Sequence, residues 1–183
     1  MSETNKPPMK VSEEANRKQL ELAKEQGQAY VKALKQMTEK EADVGGEQQV
    51  GNYIVGFAVE NAEGMYHLQH GELHWMEPEQ ENAHIEISVR DAADNRFIPG
   101  LGVQVMVIGK NGQVVGTHEQ PFLWHPWLYH YGRNWTLPGA GEYSLRVYID
   151  PPEFMRHDPE NGKRYAQAVN VDFPNVWIKT GKK

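Results

Sequence analysis

Beyond residue 50 the chain takes on a period of two. The stretch His84-Ile85-Glu86-Ile87-Ser88-Val89 alternates polar and apolar positions, and so does EYSLRVYID at 142–150. Each is the pattern of a strand with one face on a core. YIVGFAVE at 53–60 reads as a further strand and 103–108 as a buried one. The Asn-Gly signal in Gly109-Lys110-Asn111-Gly112 predicts a hairpin turn into Val114-Val115. Residues 168–173 and 176–179 supply late strands. Some seven short strands at roughly ten-residue spacing predict a mainly β fold, an immunoglobulin-like β-sandwich spanning 50–180.

Ahead of the sandwich the period is helical. Leu20, Ala23, Tyr30, Ala33, Leu34 and Met37 form a broken apolar stripe in a Pro-free stretch of Ala, Glu, Lys, Gln and Leu. Ser12 followed by Glu13 and Glu14 reads as its N-cap. Gly27 weakens the middle, and Gly45-Gly46 ends the segment. One long N-terminal helix is therefore expected within 12–45, packed on the body or a partner, or else standing as a solvated spacer. Residues 1–11 read as a disordered or trimmed terminus.

Composition narrows the chemistry. A net charge of -6 argues against a nucleic-acid surface, which carries a basic excess. No apolar run approaches the roughly 20 residues of a membrane span, and no secretory h-region is visible. The absence of Cys removes disulfides, thiolate metal sites and Cys nucleophiles together. Borderline or soft metal ligation is left to His and Met, and all eight His lie between His67 and His157.

His84 and Glu86, two apart on one strand, leave the same face, while Ile85 and Ile87 go to the core. An imidazole nitrogen beside a carboxylate is half of a site for Cu(II), Zn, Fe or Mn, or simply a polar surface pair. His70, Glu72 and His74 form a second alternating set with His67 upstream. Read as one strand, it places His70 and His74 about 13 Å apart, too far for one ion. FLWHPWLYHYGRN at 122–134 packs five aromatic residues around His125 and His130. It is a desolvated wall of a metal site, a sugar-stacking surface, or core. His157 stands in the loop after the Pro151-Pro152 strand break, where functional residues commonly sit.

The ordered series AHIEISV (83–89), PFLWHPWLYHYGRN (121–134), LPGAGEYSLRVYIDPP (137–152) and FMRHDPENG (154–162) resembles the periplasmic iron-transport protein family. That resemblance implies an immunoglobulin-like sandwich that forms a homodimer, binds copper and iron, and works beside a membrane iron permease in the periplasm. It covers roughly 50–180 and leaves the N-terminal helix outside. By position it makes His84 and Glu86 the strand ligands, His130 the ligand before Tyr-Gly, and His157 the late ligand. Where the family carries a Met upstream of His-Tyr-Gly, this chain has Phe122-Leu123-Trp124-His125. His125 is then the replacement ligand, or Met76, in a Met-Glu-Pro element like the family's, supplies the sulfur. His70 and His74 remain additional candidates for a looser ion.

The expected function is thus a metal-binding protein of iron uptake and not an enzyme, although metal-assisted iron redox chemistry is compatible with such a site. No HExxH or comparable hydrolase signature is present. The alternative is a carbohydrate- or partner-binding module that stacks its ligand on Trp124, Trp127, Trp135 and Tyr131. A cytoplasmic address is the alternative to the periplasm.

Overall fold

The computed structural model describes residues 8–183. The segment 1–7, part of the expected disordered or trimmed terminus, lies outside the described residues. Its neighbour is held: the Lys10 backbone N–H donates to Asn161 Oδ1 at 2.8 Å, and Ser12 Oγ donates to Asp158 Oδ2 at 2.8 Å. Ser12 is therefore a strap onto the late loop and not the helix cap. The cap is Asn16, which forms a reciprocal capping box with Gln19 at the start of α1 (Arg17–Gln36). A π-helical turn, Met37–Glu41, ends the helix.

Eleven strands follow: β1 (Val44–Val50), β2 (Tyr53–Glu60), β3 (Met65–Gln69), β4 (Glu72–Met76), β5 (Ala83–Asp91), β6 (Val103–Gly109), β7 (Val114–Glu119), β8 (Phe122–His125), β9 (Leu128–Trp135), β10 (Gly141–Ile149) and β11 (Val169–Ile178). One sheet has the order β1-β2-β5-β9-β8 and the other β11-β10-β6-β7. The inward residues of both sheets, among them Val55, Ile85, Ile87, Val89, Val105, Leu145 and Val147, form one core. From β2 onward this is the immunoglobulin arrangement, A-B-E-D against G-F-C-C′, with β1 added outside β2. The Tyr143 hydroxyl donates to the Gly139 carbonyl at 2.6 Å at the start of β10, a tyrosine corner in the expected place.

Several elements differ from the sequence expectation. Gly45-Gly46 does not close the helical segment but lies in β1, an edge strand paired with β2 along its whole length. The two late strands are one, β11, kinked where Pro174-Asn175 faces a single residue of β10. Asn175 has φ +57, a bulge that tolerates the proline. Residues 65–76 are a separate hairpin, β3–β4, and the aromatic stretch at 122–134 is the hairpin β8–β9.

The helix crosses the outer face of the five-stranded sheet. The Tyr30 hydroxyl donates to the Tyr129 carbonyl, and its ring lies 5.4 Å from Phe97. Gly27 is buried, and a Cβ there would stand 1.7 Å from the Asp94 carbonyl oxygen. It is a contact point rather than a weak link, since only glycine lets the helix approach so closely. As a result all nine residues of β5 are buried, unlike an ordinary antiparallel strand with one wet face.

Candidate metal centre

On β5 the outward row is His84, Glu86, Ser88 and Arg90, with the Ile and Val residues between them in the core. Register sets the neighbours. Glu60 and Asn134 flank His84, and Ala58 and Gly132 flank Glu86. The outward row of β9 contains His130, Gly132 and Asn134. Gly132 is needed for space: a Cβ there would lie 3.1 Å from His84 Nε2 and 3.3 Å from His130 Cδ2. Two strands thus converge His84, Glu86 and His130 above one small gap.

One ligand atom from each of these three residues lies within 4.8 Å of the others. His130 Nε2 is 3.3 Å and His84 Nε2 3.8 Å from Glu86 Oε1. Ligand atoms about 2.1 Å from a shared tetrahedral ion stand about 3.4 Å apart, so the spacing suits a divalent cation. All three side chains are buried, yet among the described residues His84 Nε2 and both ring nitrogens of His130 lack hydrogen-bond partners. Orphaned buried nitrogens are costly unless something outside the protein chain engages them. His84 is already oriented, because its Nδ1 meets Asn134 Oδ1 at 2.9 Å. Asn134 in turn donates to the Glu63 carbonyl at 2.7 Å. This is the support a metal-bound imidazole usually has.

The electrostatics point the same way. Burial, opposed by Glu63 and Asn134, holds the His84 imidazolium well below its usual range. Burial, then the neighbouring His84 and His125, lowers His130 to about 3. Burial, then Glu60 and Glu63, pushes the Glu86 carboxyl up to about 8. At neutral pH the set is uncharged, and a cation is what restores the carboxylate. Beside it, Lys183 Nζ pairs with Glu60 and lies 3.1 Å from Glu63, whose Oε1 is 3.9 Å from His84 Nε2.

Other expected ligands lie elsewhere. His125 shares the outward face of the β8–β9 hairpin, but it is outside the cluster and packs edge-to-face on Trp127 at 5.0 Å. His157 is exposed on the late loop and lines a groove with Tyr30, Phe154 and Arg156. His157, the late ligand that the resemblance implies, is therefore not part of the His84, Glu86 and His130 group within one chain. His70 and His74 are exposed on β3–β4, as is Met76. There the in-line geometry gives way to a two-residue turn: His70 and Gly71 have φ +51 and +88, and His67 faces His74 across the hairpin.

Glu63 goes unread in the sequence, and Asn134 reads there only as a polar partner within HYGRN. Asn134 was within reach, since it sits two positions beyond Gly132 on the outward row of HYGRN. Glu63 comes from the loop after β2, where periodicity offers no signal. The stacking quartet also divides: Tyr131 and Trp135 are core, whereas Trp124 and Trp127 are exposed.

Comparison with known proteins agrees with this architecture. UPF0423 proteins of Brucella abortus and Brucella suis are 30% identical over 131 residues, covering 59% of this chain and 71% of theirs. A copper-bound variant of Campylobacter jejuni P19 superposes with a TM-score of 0.63 at 18% identity, over 76% of this chain and 98% of that one. FetP of uropathogenic Escherichia coli strain F11 gives 0.61 at 17%, over 74% and 93%. At such identities the structural likeness is one of fold. The family model described as Fe2+ transport protein matches residues 38–178, well over half of the sequence, and the chain belongs to that family.

Proposed function

We propose that this protein binds copper through His84, Glu86 and His130 and serves iron uptake in the periplasm beside a membrane iron permease. The observation that carries the reading is the buried, partner-less donor set, with ligand atoms within 4.8 Å of one another. Two imidazoles and one carboxylate suit Cu(II), Zn, Fe or Mn alike, and the copper-bound P19 and FetP structures favour copper among them. Iron, the family's namesake, is the ion carried. The role is that of a binding protein, with the permease as destination and a homodimer as the assembled form. The dimer has a ready surface in the β3–β4 hairpin, where Tyr66, Leu68, Leu73 and Trp75 are all more than half exposed. An isolated hairpin of this kind is marginal alone.

Elemental analysis of protein purified without chelator tests the assignment. Near-stoichiometric copper is expected in the wild type, and none in His84→Ala or His130→Ala. Full copper in both variants rejects the site. His157→Ala distinguishes a site within one chain, which keeps its copper, from one completed across a homodimer, which loses it.

Trp124, 70% exposed, stands on edge strand β8 near exposed Phe122, Trp127 and Tyr129. These rings support partner binding as a second reading, on a surface separate from the buried cluster. Chelator-insensitive glycan binding would establish that reading in its carbohydrate form.

A further inference from the structure

The buried Nε2 of His84 faces two carboxylates and bonds to neither. Glu86 Oε1 lies 3.8 Å away and Glu63 Oε1 lies 3.9 Å away. Both are too far for a hydrogen bond, yet both are near the spacing of donors that share one ion. Glu86 belongs to the compact group of three, and Glu63 meets that group through His84. The Glu63 charge acts on Glu86 as well as on His84.

Glu63 is held there by its neighbours. The Asn134 side chain accepts from the Glu63 N–H at 3.3 Å and donates to the Glu63 carbonyl at 2.7 Å, and its Oδ1 also meets His84 Nδ1 at 2.9 Å. One carboxamide thus fixes Glu63 and His84 relative to each other. The preceding residue is tied down as well. The Ala62 N–H donates to the Gly181 carbonyl at 2.9 Å, and the Lys183 N–H donates to the Ala62 carbonyl at 2.8 Å. That tie brings Lys183 Nζ onto Glu60 and, at 3.1 Å, onto Glu63 Oε2. The two carboxylates differ in their need for the ammonium. Glu60 is 3% exposed and depends on it, because a buried charge must be paired. The Glu63 and Lys183 side chains are 30% and 46% exposed, and such a pair adds little stability. Lys183 can therefore stay with Glu60 while Glu63 turns its carboxylate to an ion.

We infer that Glu63 is a fourth protein ligand of the ion held by His84, Glu86 and His130, supplied from the loop after β2. The inference rests on the copper reading and sharpens it. Three donors leave one position of a four-coordinate ion open. Glu63 fills it from the His84 side and completes two imidazole nitrogens and two carboxylate oxygens, a set that suits Cu(II). Lys183 is then a placeholder, whose ammonium neutralises Glu63 until a metal cation takes the carboxylate over.

The test uses the full chain, stripped of metal and titrated with Cu(II) against a competing chelator, with electron paramagnetic resonance of the bound form. Glu63→Gln should lower Cu(II) affinity about tenfold or more and change the copper hyperfine splitting. Glu63→Asp keeps the charge and shortens the reach, so it should change the splitting too, which attraction through space alone would not do. Glu60→Gln removes a neighbouring charge that is no ligand and should leave the spectrum of the bound form unchanged. Wild-type spectra in both Glu63 variants, or an equal change in Glu60→Gln, overturn the fourth ligand and leave the copper reading intact. A wild type that binds no Cu(II) removes both.

Discussion

His70-Gly71-Glu72 and His84-Ile85-Glu86 carry the same two donors at the same spacing, and the fold treats them in opposite ways. Ile85 is fully buried and anchors β5 in the core, which sends His84 and Glu86 together to the outer face. Gly71, at φ +88, lets the chain reverse, so His70 becomes a turn residue and Glu72 opens the next strand. The second difference is cover. α1, β2 and β9 enclose the β5 pair, whereas both strands of the β3–β4 hairpin are largely exposed. Donor identity and spacing set what a pair is able to ligate. The residue between the donors and the layer above them set whether the pair is desolvated and aimed.

The largest expected contrast is in metal affinity. His130→Ala should cost at least about a hundredfold in Cu(II) affinity by competition with a chelator, since a ligand is lost outright. The double variant His70→Ala, His74→Ala should change it less than twofold. A reversed order would assign the metal to the hairpin.

The next concerns pH, and only the buried set should respond. In the metal-free protein burial lowers both imidazoles, His130 to about 3, whereas unfolding lets them protonate near 6.5, so their contribution is present above 6.5 and is lost as pH falls below it. Glu86 is raised from 4.5 to about 8, so its contribution is present below 4.5 and is lost as pH rises through 8. Between 4.5 and 6.5 the opposing slopes of His130 and Glu86 cancel, and the lowering of His84 tips the balance towards stability that rises with pH. The contribution of these three groups to stability should therefore peak near pH 6.5, and Glu86→Gln should flatten the fall on the alkaline side in thermal melts. Copper binding at pH 7 should release about one proton, from Glu86, measurable calorimetrically in buffers of different ionisation heat.

Smaller effects come from the cover itself. Gly27→Ala forces α1 off the Asp94 carbonyl and should cost about 1–3 kcal/mol by denaturant unfolding, leaving the β3–β4 hairpin unaffected. Gly132→Ala should cost less stability, yet it should weaken copper by crowding His84 and His130.

How much of this was legible in the sequence depends on which face was being read. β2, β5, β6 and β10 announce themselves because their apolar residues fill one core, and the His84–Glu86 pair follows from that alternation. β1 is hidden because VGGEQQV is an edge strand with few core contacts to impose a pattern. The β3–β4 turn is hidden because His at φ +51 is uncommon. His125 and His157 were read as ligands from motif position alone. Tertiary structure decides which histidines meet, and it selects His130 because β9 pairs with β5 in register. The helix was visible, but its seat over the buried row was not, since Gly27 looks like a flaw until Asp94 is set against it.

The most direct measurement is an anomalous difference map at the copper edge from crystals of copper-loaded protein. A peak is expected about 2.0–2.2 Å from His84 Nε2, His130 Nε2 and a Glu86 oxygen. A peak on the β3–β4 hairpin with none at the buried set would contradict this assignment.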